Sequence, residues 1–274
     1  MLRRQKRKLH TIAVAAEDDE WTASIDLIDD TMACIQLLLN RNADAYAALG
    51  LPPLIIWHQL YSILPNRTFV DQNVHRLRKR GQLITFKIST GTDDVVILRT
   101  EDYVTQMEKY ERVFREQLCQ HSEDKAILCK LNAMVAFRQA LAPITSLSTA
   151  PLKVFISTIS ESGEYENDQE VQAVVRQIQR LGFLIPTTRL DDEAFFFSVP
   201  GIGKLISAIK KTRTLILGTL KRVKYKEVLE QQLKKIKLKH SRFQLEFHLA
   251  DMEGCGLIRR TKVTSGILVT LNDM

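Results

Sequence analysis

The sequence predicts an α+β protein, mostly α, with three tandem winged helix domains and a long basic connecting helix. The main observation is a unit that occurs three times. A polar or basic helix ends at a glycine, and a Leu-Ile pair follows within two residues, at Gly81, Gly182 and Gly256. Glycine adopts the left-handed backbone that ends a helix. Each unit therefore predicts a helix that turns directly into the first strand of a hairpin.

The first unit is expected to span residues 24–118. Apolar residues at helical spacing from Ile25, an apolar stretch opened by Pro52, and a periodic stretch from Thr68 predict three helices, with residues 42–50 as a loop between the first two. Two strand-like runs, LITFKIS and VVILRT, follow the third helix. The order helix, helix, helix, hairpin is typical of a winged helix.

The other units are expected at residues 119–200 and 201–274. A charged amphipathic helix from Thr100 to Gln117 precedes the second unit. That unit contains a long polar helix with few cations, so we expect it to be structural or to face protein. The third hairpin is predicted to turn at Thr264–Gly266.

Residues 1–23 are predicted to form a flexible basic tail, because they lack a sustained apolar period. The tail begins with the basic run RRQKRK at Arg3–Lys8, which is typical of a nuclear-import signal; a solvated tail and a nonspecific phosphate contact are the alternatives. The expected location is the nucleus.

Positive charge is concentrated in one segment. Residues 204–239 hold twelve Lys or Arg against two acids, an excess of ten, whereas the whole 274-residue chain carries only +7. A local positive surface of this kind indicates a polyanion such as nucleic acid, an anionic membrane surface or an acidic protein.

The segment is expected to be helical. At about 100° per residue, one stripe should face the core and the cations should form rows about 16 Å long, enough to follow several phosphates of a duplex. The predicted stripe is Leu205, Ile209, Ile216, Leu220 and Val223. The predicted rows are Lys210, Arg213, Lys221 and Lys224 on one flank, and Lys204, Lys211, Arg222 and Lys226 beyond it. We further expect a break at Gly218, with residues 220–239 as the first helix of the third domain.

Enzyme and metal chemistry is not indicated. The Gly201–Lys204 run lacks the earlier glycine and the following Ser or Thr of a phosphate-binding loop, and the kinase motifs that hold nucleotide and metal are missing. Cys119, His121 and Cys129 match no zinc spacing, and Asp191 with Asp192 is explained by a turn. The lone histidines His58 and His248 are expected in the core or on the surface. No cofactor, metal or membrane span is predicted.

Five ordered motifs resemble the inactive serine/threonine-protein kinase 19, or winged helix repair factor, family. They are Leu51–Gln72, Leu98–Tyr103, Val199–Ile206, Leu220–Leu229 and Thr264–Leu268. The resemblance covers roughly residues 30–274 and is weak between residues 119 and 190. It implies three winged helix domains, double-stranded DNA binding, no catalysis and a nuclear role in transcription-coupled nucleotide excision repair after DNA damage. The implied partners are the Cockayne-syndrome complex, UV-stimulated scaffold protein, RNA polymerase II and the general factor II H.

The resemblance also implies DNA-contacting cations. They map to Lys221 and to its basic neighbours Lys204, Lys211, Arg213 and Lys224; Lys210 and Arg222 join them from the charge pattern. One family lysine is replaced by Ser207 here. The first unit adds an unusually basic helix end, giving the candidates Arg76, Arg78, Lys79 and Arg80. Arg67, near the start of the same predicted helix, is a further candidate. The alternative function is a protein-only scaffold whose basic helix docks an acidic partner; kinase activity is not expected.

Overall fold

The computed structural model describes residues 30–89, 93–120, 124–145, 147, 149–160, 167–187 and 194–272. The predicted tail at 1–23, His121, Asp191 and Asp192 lie outside the described residues. The described chain is α+β and mostly helical, with three small sheets. None of its described helices combines the length and the apolar character needed to cross a membrane.

The first part of the chain forms helices α1 to α3, a 3-10 helix and strands β1 to β3. Their bounds are α1 (30–41), α2 (Ala43–Leu49), β1 (Ile55–Ile56), the 3-10 helix (Trp57–Ser62), α3 (Arg67–Lys79), β2 (Leu83–Ser89) and β3 (Asp93–Arg99). The third predicted helix and its hairpin are confirmed. The Asn66 side chain caps α3 by accepting a hydrogen bond from the Phe69 backbone N–H.

Two predictions for this part are wrong. Residues 43–49 form a helix and not a loop. The apolar stretch after Pro52 forms a short strand and a 3-10 helix, because Ile55 and Ile56 pair with Ile97 and Val96 of β3. A short run of apolar residues that is buried on all sides shows no alternation of apolar and polar positions, so its sequence cannot distinguish a strand from a helix.

The middle part is helical apart from a small sheet. Its bounds are α4 (Thr100–Gln120), α5 (Lys125–Gln139), α6 (Leu141–Thr145), β4 (Ala150–Pro151), α7 (Leu152–Ser160), α8 (Asp168–Leu181), β5 (Leu184–Pro186) and β6 (Ala194–Phe197). The predicted charged helix corresponds to α4, and the predicted hairpin to β5 and β6. The residues between β5 and β6 that would form its turn lie largely outside the described part.

The last part begins with the 21-residue helix α9. Its bounds are α9 (Ile202–Arg222), β7 (Glu227–Leu229), α10 (Glu230–Leu233), α11 (Leu245–Gly254), β8 (Ile258–Val263) and β9 (Gly266–Leu271). α9 continues through Gly218 without a break, and the predicted helix at 220–239 is wrong. Residues 227–229 instead form strand β7, because their backbones pair with β9.

The three sheets share one pattern, an antiparallel hairpin whose second strand also pairs with a short earlier strand. Their strand orders are β1-β3-β2, β4-β6-β5 and β7-β9-β8. The helix before each hairpin ends at a glycine with positive φ, as predicted: Gly81 at 71°, Gly182 at 87° and Gly256 at 79°.

The largest hydrophobic core runs through all three parts of the chain. It joins Tyr46 of α2, Tyr103 of α4 and Phe183 before β5 to Phe247 of α11. Two smaller cores lie beneath the first and third sheets. The three parts therefore pack against one another, so α9 is held at a defined position on the protein.

Candidate nucleic-acid interface

Helix α9 has one buried and one exposed side. Leu205, Ile209, Ile216 and Leu220 of the predicted stripe are completely buried. Val223 was predicted to join them, but it is 37% exposed because the helix has ended at Arg222. The apolar period thus predicts the orientation of α9 correctly as far as the helix extends.

The exposed side of α9 is strongly basic, and we call it the basic face. At about 100° per residue its cations fall within an arc of about 120°. Its members are Lys204, Lys210, Lys211, Lys221 and Arg222, all exposed. Lys210 and Lys221 are eleven residues apart, which corresponds to about 16 Å along the axis. Ser207 lies within the same arc and is half-buried.

The cations of the basic face have no carboxylate partner within the described part of the chain. None of the ion pairs found there involves them. Like charges on one helix repel one another and destabilise it. A bound polyanion would neutralise these charges and relieve the repulsion.

A groove beside α9 brings in further cations. It has a volume of about 590 Å³ and is lined by Lys210, Lys211, Thr214, Leu215, Lys237, Lys239 and His240. The sequence prediction did not select Lys237 and Lys239 as contacts, although it expected them on a helix of the same charged segment. Both lysines belong to the charged segment 204–239, so the excess of positive charge in that segment was the only feature of the sequence that pointed to them.

The basic face continues into the turn that follows α9. Lys224, Tyr225 and Lys226 are all exposed, and the Lys224 ammonium lies 5.4 Å from the centre of the Tyr225 ring. Lys224, a predicted contact, therefore lies beyond the helix but next to its last cations.

Arg213 does not belong to the basic face, which corrects the sequence-based expectation. Its side chain is only 7% exposed. Its Nε donates to Oδ2 of Asp251 at 2.7 Å, and a terminal nitrogen donates to Asp251 Oδ1 at 2.6 Å and to Asp94 Oδ2 at 2.8 Å. A guanidinium committed to two buried carboxylates is not available to a phosphate.

His58 completes this buried ion cluster. Its Nε2 lies 2.7 Å from Asp251 Oδ1 and its Nδ1 lies 3.5 Å from Asp94 Oδ1. Burial alone would raise the pKa of Asp251, but hydrogen bonds from His58 and Arg213 and their charges lower it. Burial alone would lower the pKa of Arg213, but Asp251 and Asp94 raise it.

The cluster resembles a metal site in composition, since His58, Asp94 and Asp251 offer ligand atoms within 4.8 Å of one another. However, the guanidinium of Arg213 already donates to both carboxylates. A cation would have to displace it and leave a buried charge unpaired. These residues therefore fit a structural ion cluster better than a metal centre.

The ion cluster fixes α9 and α11 to the first part of the chain. The Gln59 side chain donates to the Phe247 carbonyl at 3.1 Å. Gly254 of α11 lies so close to the backbone of His58 that a Cβ there would overlap the His58 carbonyl oxygen. Packing and ion pairs together hold the basic face in one orientation relative to α3 and its hairpin.

The cations predicted in the first unit do not form one patch. Arg67 begins α3, and its guanidinium lies 5.1 Å from the centre of the Tyr61 ring. Arg76, Lys79 and Arg80 are exposed near its other end, nine or more residues and thus at least about 13 Å away. Arg78 is half-buried; its guanidinium is 3.5 Å from the Thr85 hydroxyl, and burial lowers its pKa.

Comparisons with known proteins agree with the sequence motifs. The family model described as inactive serine-threonine protein kinase 19 matches residues 37–271. The chain belongs to this family. The resemblance inferred from the motifs is therefore confirmed, and the family description agrees with the missing kinase motifs.

Proteins named winged helix repair factor 1 are similar to this chain over most of its length. The Dictyostelium discoideum protein is 26% identical over 92% of this chain and 68% of its own length. The Xenopus laevis protein is 27% identical over 81% and 76%, and the Homo sapiens protein 25% identical over 82% and 78%.

Proposed function

We propose that the protein is a non-enzymatic factor that binds double-stranded DNA through the basic face of α9. The observation that carries this proposal is the row of exposed cations without carboxylate partners in the described chain. A rigid row about 16 Å long spans several phosphates of a duplex, whose charges are about 1.7 Å apart along the axis.

The three sheets support three tandem winged helix domains. Each sheet combines a short strand with a hairpin that follows a glycine-terminated helix, which is the arrangement of a winged helix. We place the domains at residues 24–118, 119–200 and 201–274, with α9 as the long basic connecting helix.

The chemistry of the basic face favours phosphate contacts over base contacts. Lysine is a compact point charge that neutralises phosphate without reading a base edge in a fixed geometry. We therefore propose weak sequence preference and strong salt dependence. Lys204, Lys210, Lys211, Lys221, Arg222 and Lys224 are the principal contacts, and Arg67, Arg76, Arg78, Lys79 and Arg80 are secondary ones.

The names of the relatives support a role in DNA repair, and hence a nuclear location. The family resemblance supports a finer proposal, that the protein acts in transcription-coupled nucleotide excision repair. There it would link stalled RNA polymerase II, with the Cockayne-syndrome complex and UV-stimulated scaffold protein, to the general factor II H. Crosslinking with the assembled complex would test this placement, and an absence of crosslinks to all four would contradict it.

DNA binding is tested by charge reversal with a matched control. The test variant changes Lys210, Lys221, Arg222 and Lys224 to Glu. The control changes four exposed cations elsewhere, Lys109, Lys125, Lys153 and Arg180, to Glu, with the same change in net charge. Fluorescence anisotropy with a duplex of about 20 base pairs should show a loss of at least tenfold for the test variant and a much smaller loss for the control. Equal affinities for the two variants would contradict the proposal.

A protein scaffold is the second candidate, and one observation favours it. Leu215 is 38% exposed in the groove between lysines, where an amphipathic acidic peptide would find both charge and apolar surface. Wild-type binding to an acidic peptide but not to the duplex would select this function.

A further inference from the structure

The turn after α9 presents an aromatic ring to solvent in basic surroundings. Tyr225 is 70% exposed, the highest value among the large hydrophobic side chains of the described residues. It follows Lys221, Arg222 and Lys224 and precedes Lys226, all of them exposed. An exposed tyrosine ring offers an apolar face that a partner can cover.

The turn is held rigidly. The Lys226 backbone N–H donates to the Val223 carbonyl at 3.0 Å, and the Lys226 carbonyl accepts from Leu271 N–H at 3.0 Å. Immediately afterwards Glu227 pairs with Thr270 in the third sheet. The ring is thus presented by a hydrogen-bonded turn that leads directly into the third sheet.

The backbone of the turn is also strained. Lys226 has a φ of 53°, and it is the one residue other than glycine with positive φ in the described chain. Such a conformation is unfavourable for a side chain with a Cβ, and it is retained where the surrounding structure imposes it. Here it ends the α9 connection sharply and leaves Tyr225 at the outer point of the turn.

The surroundings of the ring favour a nucleobase as its partner. Lysines on both sides suit phosphates, and the ring offers a face on which a base can stack. The Lys224 ammonium, 5.4 Å from the ring centre, limits the orientations of the ring. An acidic peptide would use the lysines but has no general need for an exposed aromatic face.

We propose that Tyr225 stacks on an unpaired base, so that the protein prefers DNA in which a duplex adjoins unpaired bases. Within an intact duplex both faces of each base are covered by its neighbours, and the ring has nothing on which to stack. In this arrangement the basic face follows the duplex backbone, and Tyr225, in the turn four residues after Lys221, meets the first unstacked base. This inference rests on the proposed DNA binding and names the substrate class of the same site.

The test compares two DNA probes and three proteins. The probes are a duplex of about 20 base pairs and the same duplex with a central unpaired bubble that contains 2-aminopurine. The proteins are the wild type, Tyr225→Leu, which keeps apolar bulk without the ring, and Tyr225→Phe, which keeps the ring. The wild type should bind the bubble roughly five-fold to a hundred-fold more tightly than the duplex, the gain that stacking of one base provides.

Tyr225→Leu should lose this preference while its affinity for the intact duplex stays within about two-fold, since its phosphate contacts remain. Tyr225→Phe should keep the preference and the quenching of 2-aminopurine that accompanies stacking. Equal binding of both probes by the wild type, or an unchanged preference in Tyr225→Leu, would overturn the inference. Neither result would affect duplex binding through α9, which the charge-reversal variant tests separately.

Discussion

Arg213 of α9 and Asp251 of α11 form a buried, bidentate ion pair. Their two hydrogen bonds measure 2.7 and 2.6 Å, and both side chains are almost completely inaccessible to water. Asp94 of β3 accepts a further bond from the same guanidinium. One residue of the charged segment therefore joins α9 and α11 of the last part to β3 of the first part. The cations of the basic face itself, such as Lys210 and Lys211, stay exposed.

Replacing Asp251 by Ala should destabilise the protein strongly. The change leaves the Arg213 charge buried with one carboxylate fewer, and loss of one partner of a buried pair costs about 3–5 kcal/mol. Chemical denaturation should show this loss. The control Glu101→Ala removes the exposed partner of Arg99 and should cost less than about 1 kcal/mol. Similar losses for both variants would contradict the account of the cluster.

The free energy of unfolding should decrease as the pH is lowered from 6.5 to 4, because of His248. The pKa of His248 is lowered from its ordinary 6.5 to about 4, mainly by burial; Asp251 opposes this shift and Arg213 adds to it. The unfolded chain therefore binds a proton below pH 6.5, whereas the folded chain does not until about pH 4. Stability is fully present above pH 6.5, and about 3 kcal/mol is lost on the way to pH 4.

His248→Gln should flatten this pH dependence. Denaturation at several pH values between 4 and 7 measures it for both proteins. Parallel curves for the wild type and the variant would show that His248 does not carry the effect.

Gly254→Ala should disrupt the docking of α11. The added methyl group would overlap the carbonyl of His58, which is backbone and cannot move aside cheaply. Thermal unfolding should show a loss of several kcal/mol, of the order expected for a steric clash in a packed core. Gly218→Ala is the matched control, because a Cβ there meets nothing within 4 Å; it should stabilise α9 by up to about 1 kcal/mol. Comparable effects of the two changes would contradict the described packing.

Ser207→Lys should strengthen DNA binding. Ser207 lies within the arc of the basic face, so a lysine there can reach a phosphate. We expect a gain of several-fold in duplex affinity and an increase of about one in the salt slope. Ala173→Lys, at an exposed position of α8, adds the same charge elsewhere and should have less effect. An equal gain for both variants would show that only net charge matters.

Local patterns in the sequence predicted local structure well. The glycine that ends α3 and the hairpin behind it depend on neighbouring residues, and the stripe of α9 depends on its own period. The strand β1 could not be predicted in this way, because Ile55 and Ile56 become a strand only by pairing with β3, some forty residues later.

The candidate site was predictable in part. The charge count located it, but the ion cluster joins His58 to Asp251 across 193 positions, which no local pattern reveals. For Arg213 a signal existed, since it lies seven residues from Leu220 and so about 20° from the buried stripe. An arginine within an apolar stripe indicates a buried acid as partner and not a solvent-facing contact.

The salt dependence of duplex binding reports how many phosphates the basic face of α9 contacts. The slope of log affinity against log salt should be measured for the wild type and for Lys210→Gln with Lys221→Gln. Each phosphate contact contributes about 0.9 to the slope, so the double variant should have a slope smaller by about two. An unchanged slope, or a wild-type affinity that does not depend on salt, would contradict DNA binding through the basic face of α9.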